Sequence, residues 1–193
     1  MYQDNEHART LALRDALLEK GVHTEAEFKS MEESFDRWSP ANGAAVVAKS
    51  WVDPTFRQKL LADAKEATAE YSAISPFDWD LVALENTPNV HHVLVCTLCS
   101  CTYKPLIGQP PFWYKSLEYR ARVVREPRAV LEEMGLSLPE TTEIKVWDIT
   151  AETGYIVVPQ RPEGTEGWSE ERLASMITKK CLTGTALPDP AGC

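Results

Sequence analysis

The chain has 193 residues, 44% of them hydrophobic and 25% charged, with a formal net charge of −9 at pH 7. That composition argues against a disordered chain and allows one sizeable core with an extension beside it. The acidity gives nucleic acid no electrostatic footprint, no run of about 18 apolar residues offers a membrane span, and Met1 to Asp15 lacks the basic start and apolar core of a signal peptide.

The first signals in chain order are helical. Asp4 or Asn5 can cap a helix reaching Lys20, with Leu11, Leu13, Leu17 and Leu18 on a broad apolar face and Gly21 closing it. Thr24 and Glu27 have capping-box spacing for a second helix. Ser39-Pro40 and Asp53-Pro54 each set a capping side chain before a proline suited to the first helical turn. The latter opens a helix carrying Phe56, Leu60, Ala64, Ala67 and Tyr71 at spacings of three and four. These helices show charged faces and no catalytic cluster. The first of them have little to bury against each other, so residues 1–72 read as a helical arm that wraps a partner.

Ser72 to Asn89, broken by Pro76 and Pro88, reads as an irregular crossing into a second domain, residues 73–193. Val90 to Val95 is β-branched and strand-like. It carries His91 and His92, and because adjacent strand residues face opposite ways, at most one of them can serve the site that follows. Pro105, Gly108, Pro110 and Pro111 mark a loop. After Trp113-Tyr114 a helix runs from about Ser116 through Arg125, restarts at Pro127 and stops at Gly135. Arg120, Arg122, Arg125, Arg128 and the later Arg161 read mainly as partners of surface carboxylates. Glu143 to Ile149 and Tyr155 to Val158 are two strands, expected to form a hairpin around Glu152-Thr153-Gly154. Ser169 caps a last helix to about Lys179, and the tail from Thr183 is coil. Helices first and strands later indicate an α+β fold.

The densest chemistry is Cys96-Thr97-Leu98-Cys99-Ser100-Cys101, at CxxC and CxC spacing. Five cysteines, three of them here, make a poor disulfide framework and point to a reducing cytoplasm. Three readings stand side by side. Zinc would make the chain a zinc-stabilised interaction module, but with no second knuckle it needs a histidine or Cys181 as fourth ligand. A thiol–disulfide switch leaves the third cysteine without a task. A compact claw would set the three thiolates on one octahedral face, with the backbone nitrogens of Ser100 and Cys101 reaching the same metal. That donor set suits low-spin trivalent iron or cobalt rather than magnesium or calcium. Spacing alone does not assign the amides as ligands. Cys181 and Cys193 read as a buried thiol and a tail thiol.

The claw and its flanks resemble the alpha subunit of nitrile hydratase. The flanking stretches are Val47-Ala48-Lys49-Ser50-Trp51 with Asp53-Pro54, Glu85-Asn86-Thr87-Pro88, Trp113-Tyr114-Lys115, Arg122 to Arg128, Pro159-Gln160-Arg161-Pro162 and Gly164-Thr165-Glu166-Gly167-Trp168. The gamma subunit of thiocyanate hydrolase shares the claw and many of these stretches. The resemblance implies a layered α-β-β-α domain behind the helical extension, carrying a cysteine-rich metal claw. It implies a non-corrin cobalt(III) centre held by Cys96, Cys99, Ser100 and Cys101, with Thr97 pointing to cobalt over the iron(III) alternative. Cys96 would stay a thiolate, Cys99 would be oxidised to sulfinate and Cys101 to sulfenate.

The implied activity is hydration of a nitrile to its amide, with the nitrile made electrophilic by the Lewis-acidic metal. Water or the Cys101 sulfenate oxygen would attack, Ser100 would orient the nucleophile, and Trp113 and Tyr114 would line the pocket. A beta-type partner would bring arginines to the oxidised sulfurs in an obligate heteromer, and an activator protein would insert the metal. One stretch departs from the family: Thr102-Tyr103-Lys104-Pro105 lacks the tryptophan that commonly precedes this proline. The change points to a large or heteroaromatic polar nitrile, although a lysine there also suits the thiocyanate anion.

Overall fold

Local capping chemistry places the ends of most helices. In the computed structural model, which describes residues 2–72 and 79–192, α1 (Tyr2–Glu19) ends in a Schellman turn. Val22 N–H donates to Leu17 O and Gly21 N–H to Leu18 O, with Gly21 at φ +63°. Before α2 (Glu25–Arg37), Thr24 N–H donates to Glu27 Oε2 at 2.8 Å and Glu27 N–H to Thr24 Oγ1 at 3.2 Å, the expected reciprocal box. These helices form one compact unit, Met1–Arg37, and Trp38–Cys193 forms a second. The division falls at Arg37, ahead of residue 72, where the sequence separates arm from domain.

In the second unit α3 (Pro40–Val52) starts at Ser39, whose Oγ accepts from Ala41 N–H at 3.1 Å. Asp53 caps α4 (Pro54–Ala62) by accepting from the N–H groups of Thr55 and Phe56. The single helix expected through Tyr71 is broken instead into α4, α5 (Ala64–Ala67) and α6 (Ala69–Ser72). Asp63 leaves helical dihedrals, at φ −150° and ψ 89°, and its carboxylate caps α5 through Glu66 N–H. Leu60 and Ala64 nevertheless reach the core, and Phe56, Ala67 and Tyr71 pack against it.

A strand, β1 (Asp80–Glu85), lies inside the stretch expected to be irregular, and β2 (Val90–Val95) follows. Pro76, Phe77 and the tail thiol Cys193 lie outside the described residues. The loop expected after the claw contains a one-turn helix, α7 (Lys104–Ile107). Then come α8 (Phe112–Lys115), α9 (Leu117–Arg122) and α10 (Pro127–Glu133). Strands β3 (Glu143–Asp148) and β4 (Thr153–Val158) precede α11 (Glu170–Ser175) and α12 (Lys179–Leu182). Thr178 caps α12, so the last helix is two. Among the described residues, no helix is long and apolar enough to cross a membrane.

The expected hairpin does not form. Strand β3 pairs parallel with β2, from Val90 opposite Glu143 to Val95 opposite Asp148, and β4 pairs parallel with β1. The turn between β3 and β4, closed by Thr150 N–H to Thr153 O, carries the chain from one sheet to the other. Parallel sheets need both faces covered, and here each sheet has a helical layer outside and the other sheet inside. Leu81, Leu84, Ile156 and Val157 pack with Val47, Leu60, Leu106 and Leu173 from the first helical layer. Val93 and Val95 pack with Tyr119, Val123, Val130 and Leu131 from the second. Between the sheets Leu94 of β2 joins the first cluster, and the rings of Trp147 and Tyr155 lie 5.3 Å apart. The domain is therefore α-β-β-α, as expected.

Candidate metal centre

Strand β2 ends at Val95, and the claw begins with the next residue. Cys96 is buried at 1% exposure, Cys101 is half-buried and Cys99 is exposed. Their sulfurs all lie within 4.8 Å of one another. Cys96 Sγ is 3.4 Å from Cys99 Sγ and accepts from Cys99 N–H at 3.3 Å. Cys99 and Cys101 are linked as a disulfide, while Cys96 is a free thiol; ligation by all three sulfurs requires that link to be reduced.

Ser100 sits at φ +61°, the one described non-glycine residue in the left-handed region. This conformation costs about 1–2 kcal/mol for an L-residue. A single left-handed residue in a turn directs successive amides toward one concave side. Three converging sulfurs and such a turn fit a thiophilic metal, and the buried Cys96 gives the site a floor. Ser100 Oγ donates to Cys99 O at 2.5 Å.

Two residues to which the sequence assigns no role at the claw hold its backbone. Arg120 of α9 donates from Nε to Cys96 O at 3.1 Å and from Nη2 to the carbonyls of Thr97 and Leu98, the latter at 2.8 Å. Asp148, closing β3, accepts from Thr97 N–H at 2.9 Å and from Thr97 Oγ1–H at 2.5 Å. Arg120 is one arginine in an arginine-rich stretch, and the position of Asp148 depends on the β2–β3 register; neither fact is local. The arginines also correct an expectation. Arg122 does form ion pairs, with Glu118, Glu126 and Glu133, but Arg125, Arg128 and Arg161 donate to backbone carbonyls.

The histidines are engaged elsewhere. His91 lies between Asn86 Nδ2 at 3.1 Å and Gly184 O at 2.7 Å, and His92 Nδ1 accepts from Trp147 Nε1 at 2.8 Å. These partners make His91 the neutral tautomer protonated at Nε2, and burial lowers its pKa. Cys181 is buried in the first core cluster with its sulfur 3.2 Å from Thr178 Oγ1. Among the described residues neither histidine nor Cys181 joins the claw, so tetrahedral zinc lacks its fourth ligand.

Tyr114 is fully buried in the cluster that contains Cys96, and its hydroxyl has no hydrogen-bond partner among the described residues. Burial, with the Tyr119, Cys96 and Asp148 groups nearby, pushes that phenol's pKa far up. Trp113 stands edge-on to Tyr119 at 5.1 Å and lines a cavity of about 240 Å³ with Ser116, Arg122 and Met134. In the departing stretch, Tyr103 is buried against Gly154, and Lys104 Nζ lies 5.1 Å from the centroid of the Trp38 ring.

The comparisons agree with this geometry. The profile of the family "Nitrile hydratase, alpha chain" matches residues 4–186. The nitrile hydratase subunit alpha of Rhodococcus sp. is 50% identical over 184 residues, covering 94% of this chain and 92% of its own. The cobalt-containing nitrile hydratase subunit alpha of Pseudonocardia thermophila is 48% identical, covering 92% and 88%. Among solved structures, a thiocyanate hydrolase mutant superposes with a TM-score of 0.87 at 39% identity, covering 95% and 90%. A mutant of the Fe-type nitrile hydratase from Comamonas testosteroni Ni1 superposes with a TM-score of 0.82 at 44% identity, covering 96% and 91%.

Proposed function

This chain belongs to the nitrile hydratase alpha-chain family, and we propose that it is the metal-carrying subunit of a nitrile hydratase, converting a nitrile and water to the amide. The observation that carries this reading is the convergence of the Cys96, Cys99 and Cys101 sulfurs within 4.8 Å at the end of β2. With the Ser100 and Cys101 amides they would hold a non-corrin cobalt(III) ion. When bound, the metal supplies Lewis acidity to the nitrile. With the Cys99–Cys101 link reduced, an oxygen-donating oxidant such as dioxygen would convert Cys99 to sulfinate and Cys101 to sulfenate, two oxidised sulfurs among the ligands. The Cys101 sulfenate oxygen would take a proton of the water that adds across the C≡N bond, or would itself add to the nitrile carbon and be restored when water attacks the sulfur and releases the imidate. On either route both water protons end on nitrogen after tautomerisation to the amide, and the Ser100 hydroxyl would orient the nucleophile. Trp113 and Tyr114, packed in the cluster that contains Cys96, would line the substrate pocket.

A beta-type subunit completes the site with arginines for the oxidised sulfurs, in an obligate heteromer, and an activator protein inserts the metal in the cytoplasm. The exposure of Leu11, Leu13, Met31 and Phe35 supports docking of the N-terminal helices on that partner. Lys104, in place of a bulky indole, supports a large or heteroaromatic polar nitrile as substrate. The test is the partner-bound complex, purified and assayed against aliphatic and heteroaromatic nitriles and thiocyanate, with elemental and intact-mass analysis. Cobalt, two added oxygens on Cys99 and one on Cys101, and amide formation are the expected results. Stoichiometric zinc without cobalt or iron would overturn the reading. Thiocyanate turnover without nitrile turnover would favour a second reading, the gamma subunit of a cobalt thiocyanate hydrolase, which the 0.87 TM-score supports.

A further inference from the structure

The claw is gripped from two sides by residues that contact no sulfur. On one side a single guanidinium spans three successive carbonyls, those of Cys96, Thr97 and Leu98. On the other, one carboxylate takes both donors of Thr97, the backbone N–H and the hydroxyl. Both grips are tied to the β2 strand that delivers the claw. Tyr119, next to Arg120, donates from its hydroxyl to Leu94 O at 2.8 Å. Asp148 pairs in register with Val95, and Ile149 N–H donates to Val95 O at 2.8 Å.

We propose that Arg120 and Asp148 are positioning residues that preset the claw for its metal, fixing the Cys96–Leu98 backbone so that the left-handed turn at Ser100 brings the three sulfurs together. The proposal deepens the reading of the claw as a trivalent-metal site and rests on it. Each residue suits its task chemically. The guanidinium is a planar fork able to reach several carbonyls at once, whereas a lysine ammonium is a point charge on a flexible stem. A ligand set of thiolates and deprotonated amides is strongly anionic, and Arg120 provides a cation of this chain's own beside it, before any partner arrives. The Thr97 hydroxyl donates to Asp148, so this side chain adds a second bond to the same grip. A threonine in that place also has a stiffer side chain than a serine.

The experiment uses the full chain produced with its partner subunits and activator in medium supplied with cobalt(II) chloride. It compares wild type, Arg120→Lys, Arg120→Met, Asp148→Ala, Asp148→Asn, Thr97→Val and Arg122→Lys. The readouts are cobalt per chain and the visible sulfur-to-cobalt absorption, with circular dichroism and the melting temperature as checks on folding. Loss of a partner that orients metal ligands typically costs 10–100-fold in metal affinity. Cobalt per chain is therefore followed over a series of cobalt(II) chloride concentrations, and half-loading is expected to need about tenfold more cobalt or higher in Arg120→Met and Asp148→Ala, and a smaller increase in Arg120→Lys and Asp148→Asn. Arg122→Lys, on the same helix but bonded only to glutamates among the contacts described, is expected to match wild type. Thr97→Val removes only the exposed hydroxyl contact, so it reports on the Asp148 grip even where the other variants fail to fold, and its absorption band should shift. Variants that fold and keep the wild-type cobalt ratio and spectrum, Thr97→Val included, would overturn the proposal while leaving the hydratase reading intact. A wild-type complex that takes up neither cobalt nor iron would overturn both.

Discussion

Gly184 offers the sharpest test of how the C-terminal segment supports the claw strand. It follows α12 at φ +77°, and a Cβ there would lie 1.9 Å from His92 O and 3.0 Å from Val93 Cα, both backbone atoms of β2. The glycine is used because the two backbones touch: Gly184 O accepts from His91 Nε2 at 2.7 Å, and Leu94 N–H donates to Thr183 O at 2.9 Å. In Gly184→Ala the left-handed conformation costs about 1–2 kcal/mol. Pushing the segment off β2 forfeits two hydrogen bonds worth about 1 kcal/mol each and orphans a buried imidazole at about 1–3 kcal/mol more. The sum, about 4–7 kcal/mol, is an upper figure because the segment can relax, and a loss of about 3–5 kcal/mol is expected. At about 2–4 °C per kcal/mol for a chain of this size, calorimetry of the full-length chain should show the melting temperature fall by roughly 6–20 °C. Gly135→Ala is the control: φ is +90° but nothing lies within 4 Å of the added Cβ, so only the conformational cost of about 1–2 kcal/mol applies. If Gly184→Ala melts no lower than Gly135→Ala, the C-terminal segment is not seated on β2.

Three further outcomes follow from the same contacts. Asp53→Ala removes the acceptor for the N–H groups of Thr55 and Phe56 and should cost about 1–2 kcal/mol in denaturant unfolding, with Asp53→Ser recovering most of it. Tyr114→Phe deletes a buried hydroxyl without a partner among the described residues; stability should stay level or rise by about 1 kcal/mol, and a loss of that size would show that the hydroxyl is bonded in solution. Burial lowers the His91 pKa below its ordinary 6.5, so below that pH the unfolded chain takes up a proton that the folded chain refuses. The stability held by neutral His91 is thus fully present above about pH 6.5 and drains away as the pH falls toward the folded pKa. His91→Gln should flatten the decline in melting temperature between pH 7 and 5, leaving a residual slope from His92, which burial and nearby Lys145 also depress.

Local chemistry was legible in the sequence, and pairing was not. Thr24 with Glu27, Ser39 with Pro40, Asp53 with Pro54 and the stops at Gly21 and Gly135 all act within one helical turn, and the structure has each of them. β1 was hidden because its six residues stand among Pro76, Trp79 and Pro88, which read as breakers. The hairpin was expected because β3 and β4 are adjacent in sequence; their true partners are strands some 50 to 70 residues earlier, chosen by burial on both sheet faces. Asp63 shows a finer failure: an apolar stripe at helical spacing persists across three short helices, so periodicity alone could not reveal that a carboxylate interrupts them. In the claw, cysteine spacing announced the sulfurs. Arg120 and Asp148 were invisible for the same reason as the pairing, since only the β2–β3 register and the docking of α9 bring them to the turn.

That difference bears on what makes the claw a site instead of three neighbouring thiols. A left-handed serine persists only where its surroundings over-determine it. Around Ser100 the local constraints, the Cys99 N–H on the Cys96 sulfur and the Cys99–Cys101 link, are joined by others from elements far apart in sequence: the β2–β3 ladder up to Val95 and Asp148, the Arg120 fork on three carbonyls, and the two bonds from Thr97 to Asp148. Each group that fixes this turn during folding is one whose ordering does not have to be supplied when a metal arrives, so chain topology contributes to metal affinity. A short peptide carrying Cys96 to Cys101 alone would have the same sulfurs and none of the long-range preorganisation. The sequence motif supplies the ligands, and the α-β-β-α fold supplies their arrangement.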